Sequence, residues 1–297
     1  MNQKAGSASA LTVVLIGVFW GANWPAVKFM LTELPPFTIR AVAFPIAAIL
    51  LAVIATTRGH SLLPARRDWL AIAVTGMLVV FGFNVLVTLG QVLTETSKAA
   101  IIAFTMPALT AALAVVFLGD RLSVVRVMSL FAGMAGLGVL ASEDFAALLA
   151  EPLGPAIMLL AALSWALGTI AMKSRQWSVS PLVLTVWFFV VASIACWPLV
   201  LIFEPLHTQT WPSLPIIATM TYHVLGPMVI CYALWTAMLD RLPATVAALA
   251  TLMTPVVGVT ASVALLDDTL TWQKVLALLL ILVSIGLTLL PDKQARS

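Results

Sequence analysis

The chain has 297 residues, 62% of them hydrophobic and 9% charged, with a formal net charge of +3. About a quarter of the residues of a soluble domain are normally charged, so the composition excludes an ordinary soluble globular protein. The basic balance does not imply nucleic acid, because no basic cluster stands outside the short segments between apolar runs.

Ten runs contain no Asp, Glu, Lys or Arg: 5–27, 41–57, 69–94, 99–119, 127–142, 152–172, 176–203, 205–239, 242–266 and 275–291. A helix needs roughly 20 apolar residues to cross the hydrocarbon core, so ten helices consume about 200 residues and leave only short connections. The first run follows Lys4 but continues from Ala10 to Leu31 with no small-residue cleavage site at its far end, and is read as a retained span rather than a signal peptide. It carries Trp20, Asn23, Trp24 and Val27 on one face, an amide between two indoles. Trp24 could instead belong to an interfacial aromatic belt, the role expected of Trp187, Trp211 and Trp272. Lys28, about 27 Å into this helix, is expected to snorkel to the interface.

On the third run Phe81, Asn84, Thr88 and Gln91 recur at helical spacing. A polar stripe facing lipid is unfavourable, so it should face a wet cavity or bond a partner helix. Pro107 and Pro255 interrupt the fourth and ninth runs, freeing backbone carbonyls that protein or cavity water must satisfy. They read as kinks that gate or only shape the bundle, with Thr105, Thr110, Thr251 and Thr254 beside them. The sixth run brings Trp165, with Ser164 and Thr169 nearby, and the eighth brings Tyr222, His223, Tyr232 and Trp235. His223 is the one histidine inside an expected span, and a neutral imidazole there can contact a solute or bond a neighbouring helix. His60 and His207 fall in loops. Cys196 and Cys231 lie inside apolar runs, where a thiol acts as a small hydrophobe; they give neither a disulfide framework nor a metal-ligand spacing.

If the amino terminus is cytoplasmic, inside segments hold Lys4, Arg58, Arg66, Arg67, Arg121, Arg126, Lys173, Arg175, Arg241, Lys293 and Arg296, which is 11 of the 15 basic residues. Outer segments and outer helix ends then hold only Lys28, Arg40, Lys98 and Lys274. Both termini are therefore expected in the cytoplasm.

The chain also repeats. PALTAALAVVFLGDRLS from Pro107 aligns without a gap with PVVGVTASVALLDDTLT from Pro255, and WGANWPAVK from Trp20 aligns with WALGTIAMK from Trp165. Five helices make one unit, and an odd number of crossings inverts the second unit relative to the first. The fold expected is an all-α polytopic membrane protein, with ten transmembrane helices arranged as two inverted five-helix repeats, 1–148 and 149–297, around a central cavity. Inverted units can pack in two nearly equivalent ways, one opening a central site to each side of the membrane. A channel would ask for a continuous polar lining or a charged ring, which these runs do not offer.

Trp20 to Lys28, Pro107 to Leu122 and Pro255 to Leu270 resemble the EamA-type drug/metabolite transporters, and within that superfamily the chain is most similar to bacterial inner-membrane exporters of aromatic amino acids. The resemblance implies ten helices in two inverted sets, a cavity lined mainly by the first, third, fourth, sixth, eighth and ninth, and peripheral fifth and tenth helices. Leu266-Asp267-Asp268 departs from the Leu-Gly-Glu common in the family.

No Asp or Glu lies in the central part of any run, so proton coupling through a buried carboxylate has no evident carrier and facilitated movement fits better. The lack of a buried ion pair disfavours strongly charged cargo. His-Glu-x-x-His and Gly-x-Ser-x-Gly are absent, which disfavours an intramembrane enzyme. The function expected is export of aromatic and other apolar amino acids by alternating access in the bacterial plasma membrane. The alternatives are another amphipathic metabolite or drug, or a lipid-linked sugar. Partners are a small-molecule substrate and the lipid bilayer, with no nucleic acid, metal or cofactor; the sequence leaves the oligomeric state open and is compatible with a monomer. The expected binding residues are Trp20, Asn23, Trp24, Phe81, Asn84, Thr88, Gln91, Thr105, Trp165, Thr169, Tyr222, His223 and Thr251.

Overall fold

The computed structural model describes residues 3–94, 99, 102–103, 105–120, 123–142, 151–204, 206–244, 246–247, 251–257 and 271–288. Each apolar run contains helix: α1 Gln3–Met30, α2 Pro36–Thr57, α3 from Trp69 to Leu93, α4 Met106–Leu118, α5 Val124–Ala141, α6 Leu153–Lys173, α7 Pro181–Phe203, α8 from Leu214 to Arg241, α9 at 253–257 and α10 Trp272–Thr288. Among the described residues six helices are long and apolar enough to cross a bilayer: Leu11–Met30, Pro36–Thr57, Arg66–Leu93, Leu153–Lys173, Pro181–Phe203 and Leu214–Arg241. Met106–Leu118, Val124–Val139 and Trp272–Ser284 are apolar but shorter. Large apolar side chains on their outer faces, such as Leu70, Val116, Phe117, Leu201 and Ile202, are exposed, as a lipid-facing surface requires. The protein is therefore a helical multi-pass membrane protein. Arg121, the motif residues from Gly258 to Leu270, the acids Glu95, Glu143, Asp144, Asp267 and Asp268, and the cations Lys98, Lys293 and Arg296 lie outside the described residues.

Helix termini follow from local chemistry. Proline opens α2 and α7, where the missing N–H costs nothing, and Ser180 accepts from the Val183 N–H at the start of α7. Gly119, at φ +67°, ends α4 in the left-handed conformation that glycine adopts without strain. The amino end of α2 is capped from another helix. Glu204, buried where α7 ends, accepts from the Phe37 N–H (2.7 Å), the Thr38 N–H (2.6 Å) and the Thr38 hydroxyl (2.8 Å). A carboxylate on free first-turn amides is favoured by both hydrogen bonding and the helix dipole. Nearby, Glu33 accepts from the Ser213 N–H and hydroxyl, both at 2.7 Å, and these bonds hold its carboxyl below the usual carboxylate range.

α3 and α8 each contain a π-helical stretch, Met77–Gly82 and Val224–Cys231. In α8 the cause is plain, since Pro227 removes a ladder donor. Carbonyls in both stretches accept from other helices. Leu78 takes the Ser164 hydroxyl (2.7 Å), Val79 the Tyr232 hydroxyl (3.1 Å) and Pro227 the Trp20 indole (3.1 Å).

Packing pairs α2 with α7, α3 with α6, α5 with α10, and α1 and α2 with the π stretch of α8. The α5–α10 pair, pinned by Ser129 and Ser284 donating to each other's carbonyls at 2.7 and 2.6 Å, packs chiefly on itself and lies at the edge. Helices α3 and α6 approach so closely at Gly168 that a Cβ there would stand 2.8 Å from Val79 Cβ and 2.9 Å from its backbone nitrogen. At one end of the bundle Asp68 joins the two parts of the chain, accepting from Arg175 (2.7 Å) and the Ser178 N–H (2.9 Å).

Replacing Glu204 with Ala strips three acceptor contacts from buried donors and should cost about 2–3 kcal/mol. A thermal-unfolding midpoint in detergent checks it, with Glu204→Gln losing less. Gly168→Val should cost about 1–3 kcal/mol by overpacking against backbone that cannot yield, and wild-type stability in that variant would contradict the contact.

Candidate functional site

A narrow cavity lies where α1, α3, α6 and α8 meet. Trp20, Asn23, Trp24 and Val27 of α1, Phe83, Asn84, Val87 and Gln91 of α3, Trp165 of α6, and Met228 and Tyr232 of α8 form most of its wall; Arg40 of α2, Met106 of α4 and Thr254 of α9 complete it. The space open to water-sized occupants is about 50 Å³. At roughly 15 Å³ per water this admits a few waters, so a larger solute enters only if the walls part.

One side is aromatic. Trp165 is fully buried and packs edge-on to Trp20 (ring centroids 5.4 Å apart), with Phe83 at 4.7 Å, Tyr232 at 5.9 Å and Trp235 at 4.6 Å. Trp20 also meets Tyr232 edge-on at 5.6 Å. The indoles and phenol form one continuous apolar, polarizable surface.

The other side is a hydrogen-bonded chain built around Arg40. This side chain is 1% exposed, and its Nε donates to Thr88 Oγ1 at 2.7 Å while NH1 donates to His223 Nε2 at 2.9 Å. A guanidinium only donates, so Nε2 of His223 carries the lone pair and the ring proton sits on Nδ1. That proton is given to Asn23 Oδ1, 2.6 Å away. Thr88 passes its own proton to the Asn84 carbonyl (2.8 Å). The Asn84 amide donates to Tyr232 OH (2.6 Å) and to the Val80 carbonyl (2.8 Å). At the far end of the stripe the Gln91 amide donates to the Trp24 carbonyl (3.1 Å), and Lys28 Nζ donates to the Gln91 carbonyl (2.7 Å). Two buried lining atoms, Gln91 Oε1 and Thr254 Oγ1, have no hydrogen-bond partner among the described residues.

Trp20, Asn23, Trp24, Asn84, Gln91 and Trp165 therefore meet at one cavity. Thr88 and His223 stand directly behind it, bonded to lining residues. Phe81 lies outside the lining and Phe83 occupies the wall, because the wider turn of the π stretch shifts the helical register between residue 77 and residue 84. Thr169 bonds back to the Trp165 carbonyl within α6 (2.9 Å), and the Thr105 hydroxyl donates to the Ile102 carbonyl in the turn before α4 (2.8 Å); neither lines the cavity. Tyr222 donates to the Phe19 carbonyl (2.8 Å), away from the lining. Thr251 is buried behind Thr254, which does line it. Pro107 and Pro255 sit just inside helical segments that restart after turns at Thr105 and at 251–252, so each marks a helix start rather than a bend in a continuous rod. Trp211, 94% exposed, and Trp272, 66% exposed, face outward, while Trp187 is half-buried and donates to the Leu62 carbonyl (2.7 Å).

Arg40 is the residue that sequence reasoning placed elsewhere. Counted as an outer-face cation, it is instead the buried centre of the polar chain. It is the fifth residue of a helix that opens at Pro36, and treating every charge as the edge of an apolar run hid it.

A multi-pass membrane protein, helical among the described residues, whose polar groups turn inward to a part-aromatic cavity has the build of a membrane carrier. A model of the EamA-like transporter family matches residues 7–142 and again 152–290. The chain belongs to this family and is a membrane transporter. It is similar to YvbV of Bacillus subtilis, an uncharacterized transporter, at 25% identity over 100% of this chain and 96% of that one. It is also similar to YedA of Escherichia coli K12, an uncharacterized inner membrane transporter, at 29% identity over 52% of this chain and 49% of that one. A solved crystal structure at 20% identity shares the fold, with a TM-score of 0.77 over 98% of this chain and 99% of its own.

Replacing Tyr232 with Phe removes the acceptor for the Asn84 amide and the donor to the Val79 carbonyl. The expected loss is about 0.5–2 kcal/mol, since hydrogen bonds between helices in lipid are individually modest. Unfolding of the purified variant by a denaturing detergent measures it, and a more stable variant would remove this bond from the account.

Proposed function

We propose that the protein exports amino acids, aromatic ones and other apolar ones such as methionine, by alternating access and without a cofactor. The carrying observation is the two-sided cavity, with indole and phenol rings on one wall and a guanidinium, amides and hydroxyls on the other. An amphipathic zwitterion needs both walls. With no acid among the lining residues to take up a proton, the movement proposed is facilitated diffusion.

The architecture proposed is two inverted five-helix repeats, 1–148 and 149–297, spanning the plasma membrane ten times with both ends in the cytoplasm. Several features support it. The family model matches twice along the chain. Trp20 and Trp165, aligned in the repeat, pack edge-on to each other at the cavity. Both α3 and α8 carry a π stretch. Lys28 bonds the Gln91 carbonyl at the end of α3, while its repeat partner Lys173 bonds the Leu239 carbonyl at the end of α8 (2.8 Å). Such paired contacts at opposite ends are what an inverted duplication produces.

In liposomes the protein should move labelled tryptophan, phenylalanine and methionine down their gradients, unaffected by a pH gradient. Trp20→Ala should lower that flux at least tenfold while the variant still unfolds cooperatively. Nucleotide sugars should not compete. Flux of a lipid-linked sugar without amino-acid flux would favour the flippase alternative.

A further inference from the structure

We infer that Arg40 is the anchor for a carboxylate on the transported solute, and that the free acceptors Gln91 Oε1 and Thr254 Oγ1 on the same cavity receive its ammonium group. This rests on the cavity being the cargo site and accepting an aromatic solute, as proposed above.

The electrostatic case starts from an imbalance. Arg40 is buried at the cavity wall, and its described hydrogen bonds use two of its N–H groups, both toward neutral acceptors, Thr88 Oγ1 and His223 Nε2. No described carboxylate forms an ion pair with it; the described salt bridge is Arg175 with Asp68 at the end of the bundle. Glu204, the buried acid of α7, is engaged at the start of α2 with Phe37 and Thr38. Packing alone would not require a cation here, since a neutral side chain could bridge Thr88 and His223 without the several kcal/mol that burying an unpaired charge in a membrane costs. A guanidinium has five N–H groups in a planar fork, and the fork matches a carboxylate. The two bonds already made hold that fork in place, and the imidazole behind it is kept neutral because its Nε2 must accept from Arg40.

The second half is hydrogen-bond geometry. The Gln91 side chain is fully buried, and its Nε2 is committed to the Trp24 carbonyl, which fixes the orientation of the amide and leaves Oε1 as a bare acceptor. Thr254 Oγ1 is likewise unpartnered on the same wall. An unpaired buried acceptor is unfavourable, and a donating ammonium satisfies it. Gln91 lies three residues, about 4.5 Å of helix rise, beyond Thr88, the residue that holds Arg40. Cationic donor and bare acceptors thus sit on one surface, as an α-amino acid requires, and a solute lacking the carboxylate leaves Arg40 uncompensated.

The experiment measures binding and liposome flux of four probes by the purified full-length protein: tryptophan, indole-3-propionate (carboxylate without amine), tryptamine (amine without carboxylate) and tryptophanamide. Tryptophan should bind best, indole-3-propionate at least tenfold more weakly, and the two carboxylate-free probes at least a hundredfold more weakly. Arg40→Gln should erase the preference for tryptophan over tryptophanamide. Arg40→Lys, which keeps the charge but loses the fork, should retain part of it. Equal binding of tryptophan and tryptophanamide by the wild type would overturn the anchor while leaving amino-acid transport standing. Binding of indole-3-propionate but not of tryptophan would support the anchor and overturn amino-acid transport. If neither carboxylate binds, the anchor is overturned as well. Because the discrimination is read on the wild type, a variant that fails to fold does not rescue the inference.

Discussion

The structure depends on keeping polar groups satisfied where lipid offers no water. Four helices of the central bundle are held by one chain of hydrogen bonds: Asn23 of α1 to His223 of α8, His223 to Arg40 of α2, Arg40 to Thr88 of α3, and, through Asn84 of the same helix, back to Tyr232 of α8. A separate bond ties α6 to α3, where Ser164 donates to the Leu78 carbonyl in the π stretch. In hydrocarbon each of these groups has no alternative except another protein atom, so the chain both assembles the bundle and decides which surfaces turn inward. The cavity is what remains between the members of that chain and the aromatic wall. It is a consequence of packing around polar side chains that cannot face lipid.

How much of this was legible in the sequence follows from the same physics. Helix positions are written in charge-free runs because a span must exclude charge over its whole length, and Asn84, Thr88 and Gln91 stand out because polar residues in an apolar helix are expensive. Both signals are local. Arg40 was invisible to them: a charge close to a helix end ordinarily snorkels, and only the partners brought by α3 and α8 decide that this one turns inward. Phe81 and Phe83 differ for a related reason. Helical spacing assumes a uniform turn, and the π stretch at Met77–Gly82 breaks it just before the site. In α8 a proline announces such a break; in α3 no residue does.

The prolines were read as kinks, and their physical role is more specific. Pro107 follows a turn at Thr105 and Pro255 follows a turn at 251–252, so each occupies the early helical position where its missing N–H is harmless. The sequence marks the break correctly but not its form, because proline is compatible with bending a helix and with beginning one. At Pro107 the break is a turn two residues earlier, where the Thr105 N–H and hydroxyl both donate to the Ile102 carbonyl.

These breaks bear on how a cavity with room for only a few waters could admit a solute. Wall movement is cheapest where the backbone ladder is already interrupted, since no regular hydrogen bond must be given up. The interruptions lie in α3, α4, α8 and α9, all of which contribute side chains to the cavity wall. By contrast α2 and α7 pack along their lengths, and α5 and α10 are pinned through the Ser129 and Ser284 carbonyls. Interrupted helices therefore line the cavity alongside α1 and α6, while the paired helices behind them form a more rigid frame. Arg40 belongs to the frame yet lines the cavity, so the space is walled both by a helix of a rigid pair and by helices whose ladders are interrupted.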